Sequence, residues 1–245
     1  MTRILLLGGT TEAGLMADAV AASGLEGVFS YAGRTARPVA QPMPTRIGGF
    51  GGVAGLVDYL RQTAITHIID ATHPFAAGIS QNAIAASAQT GIPLIALERP
   101  AWQPGPGDDW VTVADFESAA ASLPGDGSGV FLAIGRQNLA PFLGRAHRWM
   151  LRFAEVASHP MPDATLIISR GPFTVPGDTE LLRRHQIRHI VAKNAGGSAA
   201  RAKLDAARAL GLPVVMIDRP ALPPRHAVTT PDQVLRWLHD ADRGV

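Results

Sequence analysis

The sequence predicts an α/β fold in two domains, each a parallel β-sheet flanked by helices, with a cleft between the domains. Three observations predict it. Short apolar runs alternate with helical stretches, as repeated strand–helix–strand units require. The apolar runs are continuous rather than alternating, which suits strands buried on both faces. Finally, residues 67–100, "HIIDATHPFAAGISQNAIAASAQTGIPLIALERP", share a grammar with residues 189–220, "HIVAKNAGGSAARAKLDAARALGLPVVMIDRP". Each has a β-branched run, a polar or glycine-containing loop, an alanine-rich helix, a Gly-x-Pro turn, a second apolar run and an acid-Arg-Pro ending. The match holds at an offset of 122 that falls to 120. Internal duplication and convergence of one strand–helix–strand grammar both account for it.

The first half begins with "RILLL", an apolar run over 3–7 that ends on two glycines, and a helix is expected over 12–23. Further strands are expected at 27–32, 67–70 and 93–97, with helices over 53–62 and 77–90 between them. The proline- and glycine-rich "RPAWQPGPGDD" then reads as an exit from the first domain. A helix is expected around 115–123, and "PGDGSG" leads into the next strand. Strands at 130–134, 149–154, 165–168, 188–192 and 213–217 alternate with helices over 178–186 and 198–210. The stretch "TTPDQVLRWL" begins a last helix, with Thr230 as its N-cap and Pro231 at the first helical position. The expected domains are therefore 1–99 and 126–245, joined by a crossing segment, 100–125.

A chain of 245 residues suits one large domain or two small ones, and a hydrophobic fraction of 47% supplies a sizeable core. No run of 18 apolar residues appears, so no transmembrane helix is expected. "MTRILLLGG" has too short an apolar run for a signal peptide. The absence of cysteine excludes disulfides, thiolate metal sites, iron–sulfur clusters and a cysteine nucleophile. The expectation is a cytoplasmic protein without a metal site. The net charge of +2 hides an asymmetry: residues 1–125 carry 6 basic and 10 acidic side chains, residues 126–245 carry 16 and 10. A positive half attracts nucleic acid, a membrane or an anionic metabolite; arginines scattered over solvated helices would account for it equally. Nucleic acid is the weakest of these, because aromatics are 6% and no basic run or binding motif is present.

"LLLGGTTEAG", residues 5–14, takes a buried strand into a glycine turn and a helix start, which offers free N–H groups to an anion. The dinucleotide pattern Gly-x-Gly-x-x-Gly is met only in part: with Gly9 first and Gly14 last, Thr11 stands at the middle glycine. A plain strand-to-helix turn capped by Thr10 or Thr11 is the alternative. Enzymes that use NAD place an acid at the end of the second strand to hold the ribose 2′-hydroxyl. Here "FSYAGRT" offers Ser30, Arg34 and Thr35 instead, of which the serine and above all Arg34 suit a 2′-phosphate, and Glu26 lies at the wrong end. That pattern predicts NADP; an exposed arginine in a turn is the alternative. "RIGGFGG", residues 46–52, lets backbone pass close to a ligand or forms a flexible loop. In "DATHPFA", residues 70–76, His73 is a ligand contact, an acid or a structural histidine.

Together these stretches resemble the precorrin-6A reductase family of cobalamin biosynthesis. The resemblance is carried by "GGTTEA", "AGRT", "GGFGG" and "DATHPFA", then by "ISRGPF", "KNAGG", the Lys203 helix and "RP" at 219–220. It covers nearly the whole chain in order; Ala195 stands where family members more often carry serine. The resemblance implies two Rossmann-like domains and an NADPH-dependent reductase that acts on a ring double bond of the tetrapyrrole precorrin-6A. A cobalt-containing form of the substrate belongs to the anaerobic branch. It places the cofactor at Gly9, Thr10, Thr11, Glu12, Ser30, Gly33, Arg34, Thr35, Gly49, Phe50, Gly51, Ala71, Thr72 and His73. The substrate's carboxylates suit Arg136, Arg170, Lys193, Lys203 and Arg219, with Gly171, Phe173, Asn194, Gly196 and Gly197 beside them. Each basic residue could instead be a structural ion-pair partner. His73 and Lys193 are the candidates nearest the chemistry. Two rivals remain. A short-chain oxidoreductase or epimerase needs Tyr-x-x-x-Lys, and neither Tyr31 nor Tyr59 has a lysine four residues on. A non-catalytic NADP-binding sensor leaves the second domain unexplained.

Overall fold

The computed structural model describes residues 2–33 and 39–242. Its elements run β1 (Arg3–Leu7), α1 (Thr11–Ala22), β2 (Glu26–Tyr31), β3 (Thr45–Ile47), α2 (Gly52–Gln62), β4 (His67–Asp70), α3 (Ala77–Thr90) and β5 (Leu94–Leu97). There follow β6 (Trp110–Val113), α4 (Phe116–Ser122), β7 (Gly129–Ala133), two single-turn 3-10 helices (Arg136–Asn138 and Ala140–Phe142), β8 (Arg148–Phe153) and β9 (Thr165–Ile168). The chain ends with α5 (Val175–Arg184), β10 (Ile187–Lys193), α6 (Ala202–Leu210), β11 (Val214–Ile217), β12 (Ala227–Val228) and α7 (Pro231–Asp242).

The strands form two six-stranded sheets, β12-β5-β4-β1-β2-β3 and β6-β11-β10-β7-β8-β9, parallel throughout. The two orders are the same once β7–β11 are matched to β1–β5, and β6 then occupies the place of β12. The alternation of β1 shows how one sheet is covered on both faces. Ile4 and Leu6 pack with Met16 and Val20 of α1 and with Val234 and Leu238 of α7. Leu5 and Leu7 pack with Leu56 and Leu60 of α2 and with Ala83 and Ala86 of α3. In the second sheet, Phe131, Met150, Ile190 and Val214 bury against Leu182 of α5 and Leu204 of α6.

The compact units are residues 1–100 with 221–245, and residues 101–220. These boundaries differ from the expected 1–99 and 126–245. Part of the crossing segment is the edge strand β6, paired with β11 from Val214↔Trp110 to Ile217↔Val113. The C-terminal stretch returns to the first sheet, where β12 pairs with β5 and α7 joins the α1 face. Two helix starts also differ by more than one residue. Thr174 caps α5 by accepting from the Gly177 amide at 3.2 Å, with proline in the first turn, so the helix begins at 175 rather than 178. Residues 198–201 turn before α6, which begins at 202. The expected cap of α7 forms a reciprocal pair: Thr230 Oγ1 accepts from the Gln233 amide at 3.4 Å, and Gln233 Oε1 accepts from the Thr230 amide at 3.1 Å. No helix among the described residues is long and apolar enough to cross a membrane.

Candidate functional site

In the first unit the carboxyl ends of β4, β1, β2 and β3 lie side by side, the usual place for ligands of an open parallel sheet. β1 leaves the sheet through Gly8, where a Cβ would run into the Phe29 ring, and Gly9, whose φ of +120° favours glycine. Thr10 caps α1: its Oγ1 accepts from the Ala13 amide at 3.1 Å and donates to the Ala71 carbonyl at 2.8 Å. This hydroxyl ties the first turn to the end of β4. The amides of Thr11 and Glu12 lie in the first turn, where a helix has no acceptor of its own for them. The Glu12 carboxylate is held by Arg99 at 2.8 Å, so it braces the turn against the residues after β5.

At the end of β2, Ser30 is buried and faces Arg46 across the β2–β3 pair. Arg46 Nη1 donates to Ser30 Oγ at 2.8 Å and to the Gly48 carbonyl at 2.9 Å, and Nη2 donates to the Gly49 carbonyl at 3.1 Å. Its guanidinium lies 3.8 Å from the Phe50 ring centroid and 5.2 Å from that of Tyr59. Gly51, with φ +80°, caps the start of α2. The "GGFGG" loop is therefore held by an arginine that the sequence reading passed over. The available signal was its position at the head of the same glycine cluster. Gly33 stands beside Gly48, with ordinary contact distances of 3.7 Å from a Cβ position. Arg34 and Thr35 lie outside the described residues.

At the end of β4, Asp70 is 3% exposed. Its Oδ1 accepts from the Thr72 amide at 3.2 Å and from the Thr72 hydroxyl at 2.7 Å, while Oδ2 is buried with no hydrogen-bond partner. Thr72 Oγ1 also lies 3.2 Å from Ser80 Oγ. His73 Nδ1 accepts from the Phe75 amide at 3.1 Å. In the neutral ring the proton is thereby placed on Nε2. Asp70 is a second residue the sequence reading missed, because its role rests on contacts rather than on a motif.

The second unit carries a cavity of about 310 Å³ over the ends of β7, β8 and β9 and beside α6. Arg170, Gly171, Phe173 and Lys203, all expected from the sequence, line it together with Arg152. The Arg152 guanidinium sits 4.0 Å from the Phe173 centroid and 4.9 Å from that of Phe131, and it binds both carboxylate oxygens of Asp178 at 2.6 and 3.3 Å. Arg170 Nε donates to the Ala154 carbonyl at 3.0 Å, and its Nη2 lies 3.4 Å from Glu155. Lys203 is 6% exposed; its Nζ donates to the Ala200 carbonyl and lies 4.9 Å from the Trp102 ring.

The remaining substrate candidates divide. Lys193 ends β10, half-buried, and Arg136 is exposed on the 3-10 turn after β7. Asn194 is engaged internally: Oδ1 accepts from the Trp102 amide at 2.8 Å, and Nδ2 donates to the Trp102 carbonyl at 3.1 Å. The Gly197 carbonyl accepts from Trp102 Nε1 at 2.7 Å. Arg219 spends its guanidinium on the carbonyls of Asn194 and Ala195, at 3.0 and 3.3 Å. Asn194 and Arg219 thus shape the "KNAGG" loop, while the left-handed Gly196 and Gly197 turn it.

Two six-stranded parallel sheets, with glycine turns and basic residues at their strand ends, define a two-unit α/β protein. The chain belongs to the family described as "Precorrin-6x reductase CbiJ/CobK", which it matches over residues 3–239. It is 58% identical to a precorrin-6A reductase of Rhodobacter capsulatus over 98% of this chain and 97% of that one. A precorrin-6A reductase of Rhodococcus erythropolis is 49% identical, with coverages of 97% and 98%. A cobalt-precorrin-6A reductase of Priestia megaterium is 29% identical, with coverages of 98% and 99%. Among solved structures, "CobK precorrin-6A reductase" superposes with a TM-score of 0.92 at 58% identity, covering 98% of this chain and 97% of that one.

Proposed function

We propose that this chain reduces precorrin-6A with NADPH, adding two hydrogens across one double bond of the macrocycle to give precorrin-6B in cobalamin biosynthesis. The observation that carries the reading is the 58% identity to the Rhodobacter capsulatus precorrin-6A reductase along 98% of the chain. The lower identity, 29%, to the cobalt-precorrin enzyme favours the metal-free substrate.

Two features support a phosphorylated dinucleotide in the first unit. No atom lies within 4 Å of a Cβ position at Gly9, which leaves backbone approach open in front of the α1 amides. The end of β2 carries a buried serine and a neighbouring guanidinium where an NAD enzyme would carry an acid. In this reading Gly9, Thr10 and Thr11 hold the pyrophosphate. Ser30, Gly33 and the Gly49–Gly51 loop take the adenosine end, and Ala71, Thr72 and His73 orient the nicotinamide. NADPH supplies the hydride when bound. The second unit binds the macrocycle: Arg136, Arg170, Lys193 and Lys203 meet carboxylates, and Phe173 lies against the ring. Lys193 stabilises charge that develops on the conjugated system. The proton comes from solvent or from His73 Nε2.

The test is incubation of the purified chain with precorrin-6A and NADPH, followed by mass and absorbance. A gain of two hydrogens matched to NADPH consumption is expected. NADPH consumption without a change in macrocycle mass, or turnover of the cobalt form alone, would overturn the assignment.

A further inference from the structure

Residue 46 sits where a dinucleotide-binding sheet distinguishes its two common cofactors. In such sheets the end of the second strand meets the adenosine ribose, and a nearby arginine accommodates the 2′-phosphate of NADP. Here β2 ends in "SYAG", with no acid to compete for that space. Ser30 and Arg46 are register partners on adjacent parallel strands, and the serine hydroxyl accepts from the guanidinium at 2.8 Å.

The environment of Arg46 leaves its charge unanswered among the described residues. Its three hydrogen bonds go to neutral oxygens, those of Ser30, Gly48 and Gly49, and no carboxylate joins them. A guanidinium has five N–H donors, so two remain for a ligand. One face of the group is covered by Phe50 at 3.8 Å, which fixes its plane. Burial pushes the Arg46 guanidinium down from its ordinary value, with Tyr59 opposing. A half-buried cation held only by neutral oxygens is under-compensated, and a dianionic phosphate answers that need with charge-assisted bonds.

We infer that Arg46 is the residue that reads the ribose 2′-phosphate and so sets the preference for NADPH over NADH, with Ser30 holding its guanidinium in place. This rests on the NADPH reading above. It differs from the sequence expectation, which gave that role to Arg34. Arg46 also pins the glycine loop, and pinning alone would serve both nucleotides equally. The ratio of the two affinities therefore separates a phosphate-reading role from a merely structural one.

The experiment measures dissociation constants of NADPH, NADH and 2′,5′-ADP for the full chain by fluorescence titration, in wild type, Arg46→Leu, Arg46→Lys and Arg34→Ala. Arg46→Leu is expected to weaken NADPH and 2′,5′-ADP on the order of 10- to 100-fold, the range for hydrogen bonds to a charged group, and NADH less than about 3-fold. Arg46→Lys keeps the charge and the stem, so part of the preference should return even if Arg46→Leu loosens the loop. Equal losses for NADPH and NADH in Arg46→Leu, or a preference lost only in Arg34→Ala, would overturn the assignment to Arg46 alone. A wild-type chain that binds both nucleotides equally would overturn the NADPH reading and this inference with it.

Discussion

His73 stands in a turn that is set from below by a buried carboxylate. Asp70 takes both the amide and the hydroxyl of Thr72 on one oxygen, which fixes the chain as it leaves β4. The Phe75 amide donates to His73 Nδ1, so in the neutral ring Nε2 carries the proton. That arrangement orients a ring without committing it to proton transfer. Hydride transfer depends chiefly on alignment of donor and acceptor carbons, and solvent competes as the proton source. His73→Ala is therefore expected to lower kcat by less than the roughly 10²- to 10⁴-fold that follows loss of a general acid. Steady-state kinetics with NADPH and precorrin-6A check this. A larger fall with both KM values unchanged would make His73 the proton donor. The glycines and threonines of these turns were legible in the sequence because strained backbone and helix caps restrict residue type. The internal contacts of Asn194 and Arg219, both named from the sequence as substrate candidates, were not, since those partners are fixed only by folding: Trp102 lies 92 residues from Asn194, and the carbonyls that Arg219 binds lie 25 and 24 residues away.

The strands differ in how plainly the sequence announced them, and burial accounts for part of the difference. β1, β4 and β9 have the expected limits, and β1 and β4 are buried almost throughout. The edge strands β3, β6 and β12 were missed; each has two to four residues, exposed at one or more of them, and no apolar run marks them. A buried ion pair, Arg152 with Asp178, joins β8 to α5, with side chains 9% and 5% exposed. Asp178→Ala would strand the guanidinium and is expected to cost about 3–5 kcal/mol, as for other buried pairs that lose one partner. Denaturant unfolding measures it, and Arg152→Met combined with Asp178→Leu should recover most of the loss. β10 carries a second, pH-dependent term. Burial pushes His189 below its ordinary value, Asp126 opposes this, and His147 reinforces it. The unfolded chain therefore takes up the proton first on acidification. The contribution is intact above the unfolded pKa near 6.5 and is lost as pH falls toward the folded value. Between about pH 7.5 and 5.5 the wild-type Tm should fall more than that of His189→Gln; equal falls would remove His189 as a cause.

The connectivity of the two sheets has a consequence for how the chain can be divided. After β5 the chain leaves the first sheet and adds β6 to the second; after β11 it leaves the second and adds β12 and α7 to the first. Each unit thus takes its sixth strand from the segment that follows the fifth strand of the other. The sequence disclosed the repeated strand–helix–strand grammar but not this exchange, because the pairing of a short edge strand is decided by which sheet edge it meets. The stretch 221–245 is integral to the first unit. The His226 carbonyl just before β12 accepts from the Ala96 amide and the Val228 carbonyl of β12 accepts from the Glu98 amide, both at 2.8 Å, and Arg225 holds Glu98 at 2.9 Å. Val234 and Leu238 of α7 are 0% and 1% exposed in the core against α1. Burying two such side chains is worth about 1.5–3 kcal/mol each, a large share of the roughly 5–15 kcal/mol that stabilises a domain. A fragment of residues 1–100 is therefore expected not to fold cooperatively by itself. The same fragment joined to 221–245 through a short glycine–serine linker should give a cooperative thermal transition and native near-ultraviolet circular dichroism. If residues 1–100 alone unfolded with the same midpoint as the joined form, the C-terminal strand and helix would be accessories to the first sheet rather than parts of its core.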